Sequence, residues 1–138
     1  MSEAVSGEEY RELLRFRDGL RRFLRWSAEQ ARAEGLTPAQ HQLLLAIRGD
    51  DDPRGSTISA LAGHLLLRHH SAVELVDRAV AAELVVRRRD TGDGRSVRLS
   101  LTPLGAAKLE ALTPVHVEEL RRLAERLGPI WEEPGAVV

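Results

Sequence analysis

Residues 83–105, ELVVRRRDTGDGRSVRLSLTPLG, constrain the fold more than any other stretch. Val97, Leu99 and Leu101 alternate with Ser96, Arg98 and Ser100, the period of a strand with one face buried. Residues 84–89 offer a partner strand, and Asp90, Gly92, Asp93 and Gly94 offer the turn. A lone hairpin is marginal in water, so this one must lie against something else. Its density of arginines suggests that it also meets an anion.

The rest of the chain has helical periodicity. Leu13, Phe16, Leu20, Phe23, Leu24 and Ala31 recur at three- and four-residue steps and predict a helix over 8–33. A helix that long carries more apolar surface than a small domain covers, so part of it is expected at a subunit interface. Thr37, Pro38 and Gln40 form a capping box with proline at the first helical position, starting a helix that Gly49 stops. Residues 50–56 read as a solvated loop. A short helix follows over 57–66, capped by Thr57 or Ser59, with a break near Leu67 and Arg68.

A second helix over 69–82 buries Ala72, Leu75, Val76 and Ala79 and exposes a face centred on His70, Glu74 and Asp77. This is helix-turn-helix spacing. The hairpin comes next, and the pair together specify a winged helix-turn-helix. Thr102 and Pro103 start another helix, which Thr113 and Pro114 either kink or replace with a new one. The expected class is mainly α with a small β-hairpin wing, in one domain spanning 1–138, with the winged part at 37–102.

Charge narrows the partner. The 138 residues carry a net charge of −1, so the chain is no bulk polycation. Five arginines against two aspartates between positions 87 and 98 leave a local surplus of three. Such asymmetry is the footprint of a local nucleic-acid contact. The absence of cysteine excludes disulfides, thiolate–zinc sites and thiol redox sensing. No apolar run approaches the ~20 residues of a membrane span. With no leader pattern at the acidic N-terminus, a cytoplasmic, membrane-free protein is expected. The histidines form no H-E-x-x-H motif and no carboxylate pair stands at a recognisable spacing, so no enzyme is expected.

Several stretches carry a family likeness: LTPAQHQLLLAI, ISALAGHL, SAVELVDR, ELVVRR, and above all Asp93-Gly94-Arg95 followed by Leu101-Thr102-Pro103-Leu104-Gly105. On these the chain resembles the MarR family of winged-helix transcriptional regulators over essentially its whole length. The resemblance implies a homodimer joined through helices 8–33 and 103–127, acting as repressor or activator on a pseudo-palindromic double-stranded operator. It also implies release by a small-molecule effector, frequently an aromatic acid, bound between the dimerisation and DNA-binding parts. No cofactor is implied. Three positions depart from the family pattern. Arg68 stands where a small polar cap is usual. Glu83 stands where glycine is usual, so its backbone should avoid the left-handed region or be strained. The cysteine of peroxide-sensing branches is missing.

A recognition helix presents its N-terminal residues to the major groove. Here these are Arg68, His69, His70, Ser71, Val73 and Glu74, with Arg78 a turn further on. Histidine can donate to guanine acceptors or phosphate, valine can meet a thymine methyl, and Glu74 can accept from cytosine. Glu74 could equally pair with Arg78 at i,i+4. In the wing, Arg95 suits a narrow minor groove, with Asp93 orienting it and Gly94 and Ser96 beside it. Arg88 and Arg89 suit phosphate contacts, while some of residues 87–89 must face the domain. Two other readings stay open. One is a zinc-sensing site joining His64, His69 and His70 to His116. The other is a winged helix used for protein–protein contact.

Overall fold

The computed structural model describes residues 4–89 and 97–128. Within them lie α1 (Gly7–Ala33), α2 (Pro38–Gly49), α3 (Ile58–Leu65), α4 (His69–Ala81), β1 (Val85–Arg89), β2 (Val97–Leu101) and α5 (Pro103–Leu127). The expected hairpin turn, with Asp90, Gly92, Asp93 and Gly94, lies outside the described residues.

Threonine starts three of these helices. Thr37 Oγ1 accepts from Gln40 N at 3.1 Å while Gln40 Oε1 accepts from Thr37 N at 3.0 Å, closing the capping box. Thr57, rather than Ser59, caps α3 through Ala60 N at 3.1 Å. Thr102 caps α5 through Gly105 N at 3.0 Å. The choice between a kink and a new helix at Pro114 resolves to one helix: α5 runs through it. In the same turn Thr113 Oγ1 donates to the Leu109 carbonyl at 2.8 Å.

The core gathers around α2. Leu43, Leu44 and Ile47 pack with Ala31 and Leu36 on one side and with Leu61, Val76 and Ala79 of the helix-turn-helix on the other. Leu84, Val85 and Leu99 bring the hairpin onto the same core, which supplies the support that an isolated hairpin lacks. β1 and β2 pair antiparallel, with Val85 opposite Leu101 and Arg87 opposite Leu99. Beyond β2, Ser56 exchanges both backbone bonds with Leu99, at 3.1 and 2.8 Å. The solvated loop thus ends as a third, one-residue edge to the sheet. α1 and α5 cross beside this core, and Gly19 is the point of closest approach: a Cβ there would stand 2.9 Å from Leu123 Cδ1. The helix propensity lost at Gly19 is exchanged for that contact.

Three helices end in the same way. Leu36 N donates to Ala31 O at 2.9 Å, Leu67 N to Ala62 O at 3.0 Å, and Leu84 N to Ala79 O at 2.9 Å. This six-to-one bond requires the residue before the donor to be left-handed. Gly35 meets the requirement without cost, but Leu66 (φ 54°) and Glu83 (φ 61°) do so as L-residues with a Cβ. The sequence alternative for Glu83 therefore resolves to the strained form, because the bond to Ala79 and the burial of Leu84 over-determine its backbone.

The same corner is locked from the other side. Thr102 Oγ1 donates to Glu83 O at 2.6 Å, and Thr102 N donates to Leu84 O at 3.1 Å. A methyl group at Gly105 would overlap the Leu84 carbonyl oxygen, so only glycine lets α5 start there. Two opposite outcomes are expected from urea denaturation of variants at this corner. Glu83→Gly raises stability by about 1 kcal/mol by relieving the left-handed strain. Gly105→Ala lowers it by about 3 kcal/mol, since the clash is with backbone and no side chain can give way.

Candidate nucleic-acid interface

α3 and α4 form the helix-turn-helix, with Leu66 at the bend and 92% exposed. The burial of Ala72, Val76 and Ala79 turns the other side of α4 outward. That side carries the expected contact residues. Arg68, His69, His70, Glu74 and Arg78 are exposed, and Ser71 and Val73 are half-buried beside them. Arg68 precedes the helix with extended backbone and makes no side-chain cap. The first N–H groups of α4 therefore have no side-chain acceptor, at the end of the helix where the dipole favours an anion. No ion pair joins Glu74 to Arg78, so the i,i+4 alternative for Glu74 is not realised among the described residues.

The hairpin arginines divide by face. Arg87 shares its side of the sheet with Val85 and the buried Leu99, and it pairs with Asp77 of α4. It is thus the residue of 87–89 that faces the domain. Its partner was expected on the open face of the recognition helix, and the pair instead ties that helix to β1. Arg88 and Arg89 are exposed, with Arg88 donating to Ser100 Oγ at 3.2 Å. Arg98 turns toward the loop after α2, donating to Asp52 Oδ2 at 3.1 Å and to the Gly55 carbonyl at 3.2 Å. Among the described wing arginines, Arg87 and Arg98 are therefore ion-paired internally, while Arg88 and Arg89 stay exposed. The remaining expected contacts, Asp93, Gly94, Arg95 and Ser96, lie outside the described residues.

The sequence reading missed a second site, where α2 meets α1 and α5. His41 is 4% exposed, and its Nδ1 has no hydrogen-bond partner. Its ring meets the His116 ring edge-on at 4.8 Å between centroids, and Trp26 lies 4.8 Å from His116 on another side. His116 Nδ1 donates to the Leu112 carbonyl at 2.7 Å, which leaves Nε2 to accept from the Ser27 hydroxyl at 2.7 Å. Burial, then the neighbouring His116, hold the His41 pKa below its ordinary 6.5. A signal for both was present. His41 precedes Leu44 and Ile47 at three-residue steps on the core face of α2. His116 fills the inward stripe of α5 between Leu112 and Leu123. This placement corrects the zinc alternative: His116 sits against His41, not beside His64, His69 and His70. No group of three or more potential metal ligands occurs among the described residues.

Comparison with known proteins agrees with this geometry. A sequence model of the MarR family matches residues 34–96, from just after α1 to the residue before β2. The crystal structure of AbsC, a MarR family transcriptional regulator from Streptomyces coelicolor, superposes with a TM-score of 0.73 at 20% identity, covering 92% of this chain and 85% of that one. A mutant MarR from E. coli complexed with operator DNA superposes at 0.68 with 25% identity, covering 81% and 79% of the two chains. An S. aureus MepR mutant bound to an oligodeoxyribonucleotide superposes at 0.66 with 20% identity, covering 82% and 81%. No curated protein sequence matches the chain. The segment spanning the helix-turn-helix and β1 thus matches the MarR family model, and the chain shares the fold of solved MarR family transcription regulators. No helix of the described residues is long and apolar enough to cross a membrane.

The buried histidine makes stability depend on pH. His41 takes up its proton less readily when folded than in the unfolded chain, so below pH 6.5 the unfolded state binds more protons. The stability is fully present above that pH and declines as pH falls through the lowered folded value. Thermal melts from pH 8 to pH 5 should show this decline in the native chain, and His41→Leu should flatten it.

Proposed function

We propose that the chain binds double-stranded DNA as a homodimer and represses transcription from a pseudo-palindromic operator. The observation that carries this reading is the outward face of α4. Its start has no side-chain cap, it bears Arg68, His69 and His70, and none of these three is ion-paired among the described residues. In the proposed complex His69, His70, Ser71, Val73 and Glu74 meet base edges. Arg68, Arg78, Arg88 and Arg89 hold phosphates, and Arg95, with Asp93, Gly94 and Ser96 around it, enters the flanking minor groove.

Support for the homodimer comes from apolar surface that a single chain leaves open. Leu13 and Leu24 of α1 are 59% and 61% exposed, and Tyr10, Leu14, Val117 and Leu120 are exposed as well. Isolated exposed leucines are ordinary, but their recurrence along both α1 and α5 supports an interface there. Two-fold pairing there sets two recognition helices about 10 base pairs apart. Release by a small-molecule effector completes the reading. α2 meets α1 and α5 at the His41–His116 contact, so a ligand that shifted those helices would change the spacing of the two recognition helices.

Duplex from the chain's own upstream region, titrated by fluorescence anisotropy at several salt concentrations, tests the reading. Affinity should fall steeply with salt, with a logarithmic slope of about −0.9 per phosphate neutralised. Arg95→Ala should weaken binding most on operators with A·T-rich flanks, and His70→Ala should cost about 1–3 kcal/mol and change base preference at one position of each half-site. Absence of binding at low salt would overturn the proposal.

A further inference from the structure

The core around α2 is built of apolar side chains, yet a pair of histidines stands where α2 meets α1 and α5. His41, in the first turn of α2, is 4% exposed, and its Nδ1 has no hydrogen-bond partner. Its ring lies edge-on to the His116 ring of α5, at 4.8 Å between centroids. His116 is held on both nitrogens, by the Leu112 carbonyl and by the Ser27 hydroxyl of α1, each at 2.7 Å. Trp26 of α1 lies 4.8 Å from the His116 ring, and Phe23 meets it edge-on at 6.1 Å. A leucine at position 41 would fill this place without burying a polar group, so core packing does not account for the histidine.

The two charge states of His41 fare differently here. The neutral ring can keep its proton on Nε2 and leave only a lone pair unanswered at Nδ1. The protonated ring carries N–H on both nitrogens, and the buried Nδ1–H then has no acceptor. No opposite charge offsets it. From α1 the pair is faced by Phe23, Trp26 and Ser27, which are uncharged, and from α5 by His116, whose charge opposes that of His41. Lys108, nearer the start of α5, donates to the Glu34 carbonyl at 2.7 Å. Burial, then His116, keep His41 neutral at neutral pH and let it take up a proton only in acid. A buried cation without an acceptor is relieved when water reaches it. Water reaches this one when α2 draws away from α5 and Trp26.

We propose that the His41–His116 contact is a proton-operated switch: acidification opens the junction of α2 with α1 and α5 and lowers affinity for the operator. The effect on affinity rests on the DNA-binding homodimer proposed above; the opening of the junction does not. α2 carries the core on which α3, α4 and the hairpin pack, whereas α1 and α5 carry the proposed two-fold interface. Movement of α2 against α1 and α5 therefore changes the distance between the two recognition helices. The switch works against the surface histidines. His69 and His70, exposed on α4, gain positive charge in acid, which by itself tightens contact with phosphate. A loss of affinity in acid must come from inside the molecule.

Two readouts on the full chain test it. The first uses no DNA. In a Trp131→Phe background Trp26 is the single tryptophan, and its emission should move to longer wavelength from pH 8 to pH 5 as water enters beside it. Protonation of His116 alone would change intensity without that movement. His41→Leu should abolish the movement, as should His41→Phe, a second variant that keeps a ring at the position. Far-ultraviolet circular dichroism at each pH should show every chain folded. The second readout is affinity for duplex from the chain's own upstream region at fixed ionic strength. Between pH 8 and pH 5.5 the native chain should lose about tenfold relative to the His41 variants, a size usual for coupling between sites. Three results overturn the proposal: a Trp26 wavelength that stays fixed, a movement that coincides with loss of the circular dichroism signal, or the same pH dependence of affinity in native and folded variant chains. A Trp26 movement in a folded chain that binds no duplex at any pH upholds the opening of the junction and overturns the DNA reading.

Discussion

The carbonyl of Leu84 is the point on which the functional part of the molecule turns. Thr102 N donates to it, and Gly105 leaves it room. One residue earlier, Thr102 Oγ1 holds the carbonyl of Glu83. The end of the recognition helix, the beginning of the hairpin and the start of α5 are therefore one rigid corner. Without it the hairpin would be held by Leu84, Val85 and Leu99 alone, and its angle to α4 would be free to vary. The proposed DNA complex, with a helix and a wing both in contact, requires that angle to be fixed before the DNA arrives.

The rigid corner carries a strain of its own, since Glu83 is left-handed. Leu66, at the bend between α3 and α4, is left-handed as well. Both flank the recognition helix, and each of these two helix ends could have been relieved by glycine. Strain of this kind persists where surrounding bonds over-determine the backbone, and here those bonds set the position of α4 at both ends. The helices outside this region behave differently. α1 ends on a glycine, and α1 and α5 meet through a glycine contact. Their unsatisfied element is apolar surface rather than backbone strain, left open among the described residues.

Arginine has three distinct roles in this chain, and composition alone cannot separate them. Arg87 pairs with Asp77 and Arg98 with Asp52, each holding the wing to a neighbouring element. Arg68 and Arg78 stand on the open face of the recognition helix. Arg48, Arg54, Arg88 and Arg98 line one cavity, where Asp52 pairs with Arg54 and Arg98. A run such as residues 87–89 looks uniform as sequence. Strand alternation sends Arg87 to one face and Arg88 to the other, and the partners waiting on each face decide what each does.

Local chemistry in the sequence determined a great deal by itself. Threonine caps, the period-two alternation of β2 and the three- and four-residue steps of α2 and α4 fixed each element almost to the residue, because these signals act within one turn or one strand pair. The outward residues of α4 followed from the same periodicity. Only the tertiary structure decided what depends on distant partners. Leu13 and Leu24 lie open because no neighbouring element among the described residues reaches them. His41 and His116 meet because α2 and α5 pack together, although they are far apart in sequence. The cavity of four arginines exists because a loop, a helix end and two strands converge there. Capping and periodicity are short-range forces written in adjacent residues. Burial, ion pairing and charge convergence are set by which surfaces the packed core brings together.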